Sequence, residues 1–494
     1  VCAVSHPTRS DAERAVLEWV PTELYIGGQW RPAGGGGTLT VEDPATTDAL
    51  VEVADAHEDD ALAALAAAAG AQPEWAVHAP RERGEILRRA YEAIVERADE
   101  LALLMTLEMG KSVAESRAEI AYAAEFFRWF SEEAVRIHGR YMVNTTGKGR
   151  ILTMRQPVGP CVFVTPWNFP TAMGTRKIAP AIAGGCTMVV KPAKQTPLSM
   201  LALAKILEDA GLPPGVLNVI TAKHAGEVIE PLLRDPRTRK LSFTGSTEVG
   251  RSLIEQSAQQ ILRVSMELGG NAPFLVFDDA DLDAALEGAM TAKMRNVGEA
   301  CTAANRFHVH ESLAAEFARR LAEKMGALKL GRGTEPGVDV GPLIDEAQRA
   351  KVTELVEDAV NRGACVLVGG HPVDGPGYFF EPTVIVDVPD DARLLREEIF
   401  GPVAPIATFA TDEQALDAAN RTEYGLVAYV YTRDLDRAFH VCERLESGMV
   451  GLNQGVVSNP AAPFGGVKQS GFGREGGFEG IGEYLDTKYV ALGI

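Results

Sequence analysis

From Cys161 onward the chain repeats a pattern that few folds satisfy: a short apolar run, a glycine or proline loop, then a helix-like stretch. Residues 161–165, 187–191, 216–220 and 241–244 are the apolar runs, and 175–183, 197–210 and 225–233 are the helical stretches between them. Apolar runs of this kind bury both faces, and strands separated by helices pair in parallel. The pattern predicts an α/β fold whose parallel sheet is covered on both sides, with ligands bound beyond the carboxyl ends of its strands. A second set follows at 274–277, 282–296, 307–310, 313–327, 349–362 and 365–368. At 494 residues the chain exceeds what one core organises, so two or three domains are expected.

The flanking regions read differently. Residues 23–30 form a short strand with a turn at Gly27-Gly28, and 58–138 a helical tract with an alanine-rich opening. In that tract Ile86, Ala90, Ile94 and Leu101 recur at helical spacing, and Gly110 and Gly139 are expected to end helices. Residues 140–157 predict a β-hairpin with little core of its own, of the sort that packs on another subunit. A glycine-rich stretch at 464–477 and a last strand at 484–492 close the chain.

Composition excludes several functions. The net charge of −20 argues against a nucleic-acid partner, which requires a basic face. No apolar run reaches the roughly 18 residues of a membrane span, so no membrane association is expected. The six cysteines (Cys2, Cys161, Cys186, Cys301, Cys365, Cys442) form no CxxC pair, which favours reduced thiols and a cytoplasmic location. Residues 1–18 lack a signal-peptide core, and Val1 in place of Met reads as a trimmed or partial start. No metal ligand set is expected.

The candidate nucleophile is Cys301, which follows a small-residue break at Gly298 and Ala300. A thiol attacks only as thiolate and needs a base or a lowered pKa. Glu267, 34 positions earlier (301 minus 267), is a candidate base, and Gly269-Gly270 behind it imply a close backbone approach. A cysteine paired with a carboxylate, without a nearby histidine, points to an acyl-thioester cleaved by water. Taken alone, a lone cysteine is more often an inert core residue, and that alternative stands on these residues.

Seven separated motifs carry a resemblance. They are Pro166-Trp167-Asn168-Phe169-Pro170, Lys191-Pro192-Ala193, Phe243-Thr244-Gly245-Ser246-Thr247, Glu267-Leu268-Gly269-Gly270, the segment from Gly298 to Cys301, Glu398-Ile399-Phe400-Gly401-Pro402, and Pro463-Phe464-Gly465-Gly466. In this order they resemble the aldehyde dehydrogenase superfamily over nearly the whole chain. Residues 240–283, Thr175-Arg176-Lys177 and the tail 471–489 resemble its succinate-semialdehyde dehydrogenase branch. The implied architecture is a Rossmann-type cofactor domain (1–138 and 157–262), an α/β catalytic domain (263–468) and a β oligomerisation arm (139–156 and 469–494).

The resemblance implies roles. Cys301 would form a thiohemiacetal and then a thioester, Asn168 would hold the oxyanion, and Glu267 would activate the hydrolytic water, with Glu475 supporting the water network. Thr165, Pro166, Trp167, Lys191, Lys194, Gly226, Gly245, Ser246, Leu268, Glu398 and Phe400 would bind the dinucleotide, Ser246 opening a helix toward the pyrophosphate. Lys194 stands where NAD-preferring relatives commonly have Glu, so NADP is the expected preferred cofactor and NAD the lesser one. Arg176, Arg295, Ser458 and Phe464 would bind a semialdehyde whose distal carboxylate calls for guanidinium partners. Arg295 and Cys301 would share one cavity if the helix at 282–296 continued. Two departures stand out: Glu299 replaces a common Gln and is expected to turn away from the thiol, and Ala303 leaves no second cysteine for a local disulfide. The implied reaction is oxidation of succinate semialdehyde to succinate by a homodimer or homotetramer. The alternatives are a broad-specificity or glutarate-semialdehyde enzyme, an inactive structural relative, or a cofactor-free thiol hydrolase.

Overall fold

A computed structural model describes residues 9–493. The expectation drawn from the opening residues lies largely outside the described residues. The first sheet has eight strands, five of them parallel. Cys161–Val164 lies at its centre, with Met188–Lys191 and Leu217–Val219 added in turn on one side. Lys240–Thr244 and Arg263–Glu267 then add on the other side. The order of addition therefore reverses between Cys161–Val164 and Lys240–Thr244. Helices leaving these two strands go to opposite faces, which opens a crevice beyond their carboxyl ends. Antiparallel strands finish both edges: Leu24–Ile26 and Gln29–Arg31 on one, Gly471–Phe472 on the other.

The second sheet has seven strands in the order Cys365–Val368, Thr383–Val386, Val403–Phe409, Ala304–His310, Ala272–Val276, Val427–Tyr431 and Met449–Leu452. All neighbours are parallel except the first pair. Only four residues, Leu268 to Asn271, link Arg263–Glu267 in the first sheet to Ala272–Val276 in the second. The end of one sheet is thereby held against the start of the other. A third sheet pairs Leu485–Leu492 with Arg150–Pro157 and Arg140–Val143. It exposes Tyr141, Met142, Val143, Met154 and Tyr489.

Several expectations are corrected. Residues 23–30 form two short strands about the Gly27-Gly28 turn, not one. The tract at 58–138 is four helices, Glu58–Val77, Pro80–Glu96, Ala98–Met109 and Val113–Glu133. Gly110 closes the third at φ 93°, but the fourth gives way to a 3-10 turn at Ala134–Arg136, so Gly139 caps nothing. A helix at Asp11–Trp19 and a hairpin of Thr38–Glu42 with Ala49–Ala54 have no counterpart in the pattern-based reading. Nor have four strands of the second sheet: Thr383–Val386, Val403–Phe409, Val427–Tyr431 and Met449–Leu452. No helix among the described residues is long and apolar enough to cross a membrane.

Candidate active site

The crevice at the reversal point is a cavity of about 220 Å³. Pro166, Trp167 and Asn168 enter it after the central strand, Gly245 and Ser246 after the neighbouring strand, and Leu268 after Glu267. Cys301 enters from the second sheet, just before Ala304–His310, and Glu398 and Phe400 form the far wall. Nine of the residues singled out in the sequence thus meet in one cavity. Thr244 and Gly269, quoted in the motifs without a binding role, line it as well, and Met173, Gln348 and Lys351 were missed. Gln348 bears a legible sign only in hindsight: its amide donates to the carbonyls of Ile399 and Phe400 at 3.2 and 2.6 Å, holding Phe400 at φ 57°.

Other predicted residues lie outside it. Thr165 sits one residue before the rim. Lys194 lines a separate cleft with Lys223 and Asp345, and Gly226 another with His57 and Glu227. Lys191 is buried at the end of its strand.

The nucleophile's placement depends on a helix that stops. Leu282–Met294 ends before Arg295, and Asn296, Val297 and Gly298 follow at φ 54°, 58° and 76°. The helical phase from Arg295 to Cys301 therefore does not persist. Left-handed backbone at a β-branched residue such as Val297 costs about 1–2 kcal/mol, so the surroundings must impose it. Asn296 supplies much of that constraint. Its N–H donates to Glu115 Oε2 at 2.6 Å, and its Nδ2 donates to the carbonyls of Asn168 (3.0 Å) and Glu299 (2.9 Å). Asn168 Nδ2 donates to the same Glu299 carbonyl at 2.9 Å, which fixes the amide's orientation and leaves its second N–H free. Behind it, Lys111 donates to the Asn168 carbonyl at 2.8 Å and pairs with Glu119 at 2.6 Å. Glu119 in turn accepts from the N–H groups of Thr171 and Ala172 at the next helix start. The expected close approach at the double glycine is present: a Cβ on Gly270 would lie 2.4 Å from the Cys301 carbonyl oxygen.

Burial favours the protonated forms of Cys301 and Glu267. Burial pushes the Cys301 thiol up to about 12; Glu398 and Glu267 add to this, while Arg176 and Arg295 oppose it. Burial, with Glu475 nearby, holds Glu267 well above the usual carboxylate range. Glu475 takes the opposite course, because Lys177 and Arg176 outweigh its burial. It contacts Arg176 Nε at 2.7 Å and Lys177 Nζ at 2.5 Å. One carboxylate of this pair carries the charge and the other the proton. Glu299 does turn away: Oε1 accepts from the Ile344 N–H at 3.1 Å, and burial raises its carboxyl well above the usual carboxylate range. Among the described residues every cysteine is free.

Beyond the thiol lies a cationic compartment. Arg176 is 2% exposed, with its Cζ 3.7 Å from the Phe464 ring centroid. Arg295 sets Nη1 3.4 Å from Ser458 Oγ and packs over Phe169 at 5.0 Å. Both guanidinium groups act on the charge of the sulfur.

The crevice suits a dinucleotide. The hydroxyl of Thr244 in its wall and that of Thr165, just before Pro166, are buried without partners. Ser246 caps the twelve-residue helix Thr247–Ala258, accepting from the Val249 N–H at 3.4 Å. Glu398 accepts from the Gly270 N–H at 3.0 Å through one oxygen, and burial raises its pKa to about 7. Asn271 and Asn305 tie down its loop through the carbonyls of Leu395, Arg396 and Glu397. Acceptors for ribose hydroxyls and donors for phosphate are thus both present.

Comparison with known proteins agrees with this geometry. The model of the aldehyde dehydrogenase family matches residues 30–490. The chain is 59% identical over 443 residues to a Paenarthrobacter nicotinovorans protein named succinate-semialdehyde dehydrogenase, covering 90% of this chain and 98% of that one. It is 50% identical over 471 residues to a glutarate-semialdehyde dehydrogenase of Pseudomonas aeruginosa, covering 95% and 97%. Among solved structures it is similar to an Escherichia coli NADP-dependent enzyme (TM-score 0.95, 49% identity, 96% and 98% covered). A succinate-semialdehyde dehydrogenase from Burkholderia pseudomallei gives a TM-score of 0.95 at 46% identity, with 99% and 100% covered.

Proposed function

The chain belongs to the aldehyde dehydrogenase family, and from that premise we propose that it oxidises succinate semialdehyde to succinate, with NADP(+) preferred over NAD(+). The observation that carries the substrate is the pair of guanidinium groups, Arg176 and Arg295, placed with Ser458 beyond the reacting sulfur. A distal carboxylate is the ligand such a compartment favours. The aldehyde of a short ω-acid then reaches Cys301.

In this mechanism the Cys301 sulfur gives up its proton to water and bonds to the carbonyl carbon. The oxygen takes the electron pair and is held by the free Asn168 N–H and the backbone N–H of Cys301. Glu398, Ser246 and Lys191 would hold the dinucleotide, which when bound would supply the hydride acceptor this oxidation requires. The acyl group remains on sulfur as a thioester. Glu267 removes a proton from water, the water oxygen bonds to the acyl carbon, and the C–S bond breaks to release the carboxylate.

The pH dependence follows from the raised pKa of Glu267. Only the unprotonated carboxylate can act as base, so kcat should climb as pH rises above the ordinary carboxylate range. Glu267→Gln is expected to lower turnover about 10²–10⁴-fold while sparing a first burst of reduced dinucleotide. A native kcat flat from about pH 5 to about pH 9 counts against Glu267 as the base.

NADP(+) preference rests on two lysines. Burial lowers Lys191 to about 8 and Lys194 adds repulsion. A 2′-phosphate would relieve both, whereas a carboxylate at Lys194 would repel it. Lys194→Glu should shift the ratio of kcat/KM values toward NAD(+) by tenfold or more, a gain of about 1.4 kcal/mol in relative transition-state binding; an unmoved ratio overturns the assignment.

The deciding experiment is a steady-state panel of succinate semialdehyde, glutarate semialdehyde and neutral aldehydes with each dinucleotide. The 50% identity to a glutarate-semialdehyde dehydrogenase makes the longer acid the second reading. One methylene distinguishes the two by only about 1–3 kcal/mol. We assign the crevice-bearing first sheet to cofactor binding, the second to catalysis, and the third, with its exposed Tyr141, Met142, Val143 and Tyr489, to assembly of a cytoplasmic homodimer or homotetramer.

A further inference from the structure

The cationic compartment holds one polar group that neither the motifs nor the mechanism uses. Tyr122, on Val113–Glu133, has a buried hydroxyl with no hydrogen-bond partner. Its ring is fixed edge-on against Phe126, 5.0 Å between centroids, and lies 5.9 Å from Arg295 Cζ. The charges of Arg176, Arg295 and Glu475 bear on it, and the Ser458 hydroxyl lies near enough to exert a weak hydrogen-bonding influence. Arg176 Nη2 is likewise buried and unpartnered. Guanidinium groups only donate, so neither arginine can accept the phenol's proton. Donors thus outnumber acceptors: the Ser458 oxygen already accepts from Arg295, and Glu475 is held by Arg176 Nε and Lys177. A buried donor left unpaired is unfavourable, so the arrangement is complete only when something with several acceptor oxygens occupies it. Burial keeps the phenol protonated despite the two arginines, so it remains a donor.

Resting on the semialdehyde reading above, we propose that Tyr122 is a specificity-determining residue that donates its O–H to the distal carboxylate of the substrate, alongside Arg295 and Ser458.

Tyr122→Phe removes one oxygen and keeps the ring. The ratio of kcat/KM for succinate semialdehyde to that for a neutral aldehyde of similar length should fall about 10–100-fold. Both substrates are measured on the same preparation, so a loss of folded protein cancels from the ratio. A second readout needs neither dinucleotide nor turnover: protection of Cys301 from alkylation by added succinate, followed on the Cys301 peptide by mass spectrometry. The succinate concentration giving half protection should rise by a similar factor in Tyr122→Phe. An unchanged ratio together with unchanged protection overturns the role of Tyr122 when the native enzyme shows carboxylate selectivity and Arg295→Ala loses it. If the native enzyme does not distinguish the two aldehydes, the semialdehyde reading itself fails.

Discussion

Replacing Cys301 with alanine is expected to lower kcat/KM at least about 10⁴-fold, with no acyl group trapped on the protein from labelled semialdehyde. The loss should be this large because nothing else in the cavity can take over. The other described cysteines belong to different parts of the fold, and the buried hydroxyls of Thr165 and Thr244 stand at strand ends of the first sheet. The thiol is also poorly preset for attack. With burial pushing it up to about 12, it rests as S–H, unlike a cysteine paired with a cationic histidine. Reactivity therefore depends on losing that proton at the moment of attack, and alkylation by iodoacetamide should accelerate continuously with pH through the alkaline range. Residual oxidation within tenfold of native, or an adduct on another residue, would remove the covalent mechanism.

Arg295→Ala should cost succinate semialdehyde about 2–4 kcal/mol of transition-state binding, roughly 30- to 1000-fold in kcat/KM, and a neutral aldehyde far less. Arg295 is the cleaner probe of the two arginines. Arg176 is committed to Glu475 at 2.7 Å, and removing one partner of such a buried pair typically costs about 3–5 kcal/mol through the charge left behind. Its loss would also disturb the field at Glu267, mixing a hydrolysis defect with a binding defect. Arg295 has no carboxylate within ion-pair distance among the described residues, and its contacts are Ser458 and two aromatic faces. Equal losses on charged and neutral aldehydes would sink the clamp.

Much of the first sheet was legible because its buried strands are short apolar runs bounded by glycine and proline. The second sheet was half legible. Val403–Phe409 carries Pro405 within a buried strand, where the missing N–H argues against strand assignment. Val427–Tyr431 is buried throughout and shows no alternation to mark it as a strand. The crevice residues could be read because each stands in a short motif at a strand end. The cationic compartment could not be read in full. Arg176 and Glu475 are 299 positions apart, and Tyr122 sits among Ile120, Ala123, Phe126 and Phe127, where it reads as one more core aromatic. The break after Met294 escaped notice because only one of its three left-handed residues is a glycine.

The Glu299 carbonyl, shared by the side chains of Asn168 and Asn296, couples the oxyanion donor to the backbone two residues before the sulfur. Nucleophile and donor are thereby clamped in one jig, and a shift of either carries the other with it. The chemical end of the pocket should then treat every aldehyde group alike, whatever chain it ends. Discrimination is left to the far end, and redesign of the tail-binding groups should retarget the enzyme without dulling its reactivity.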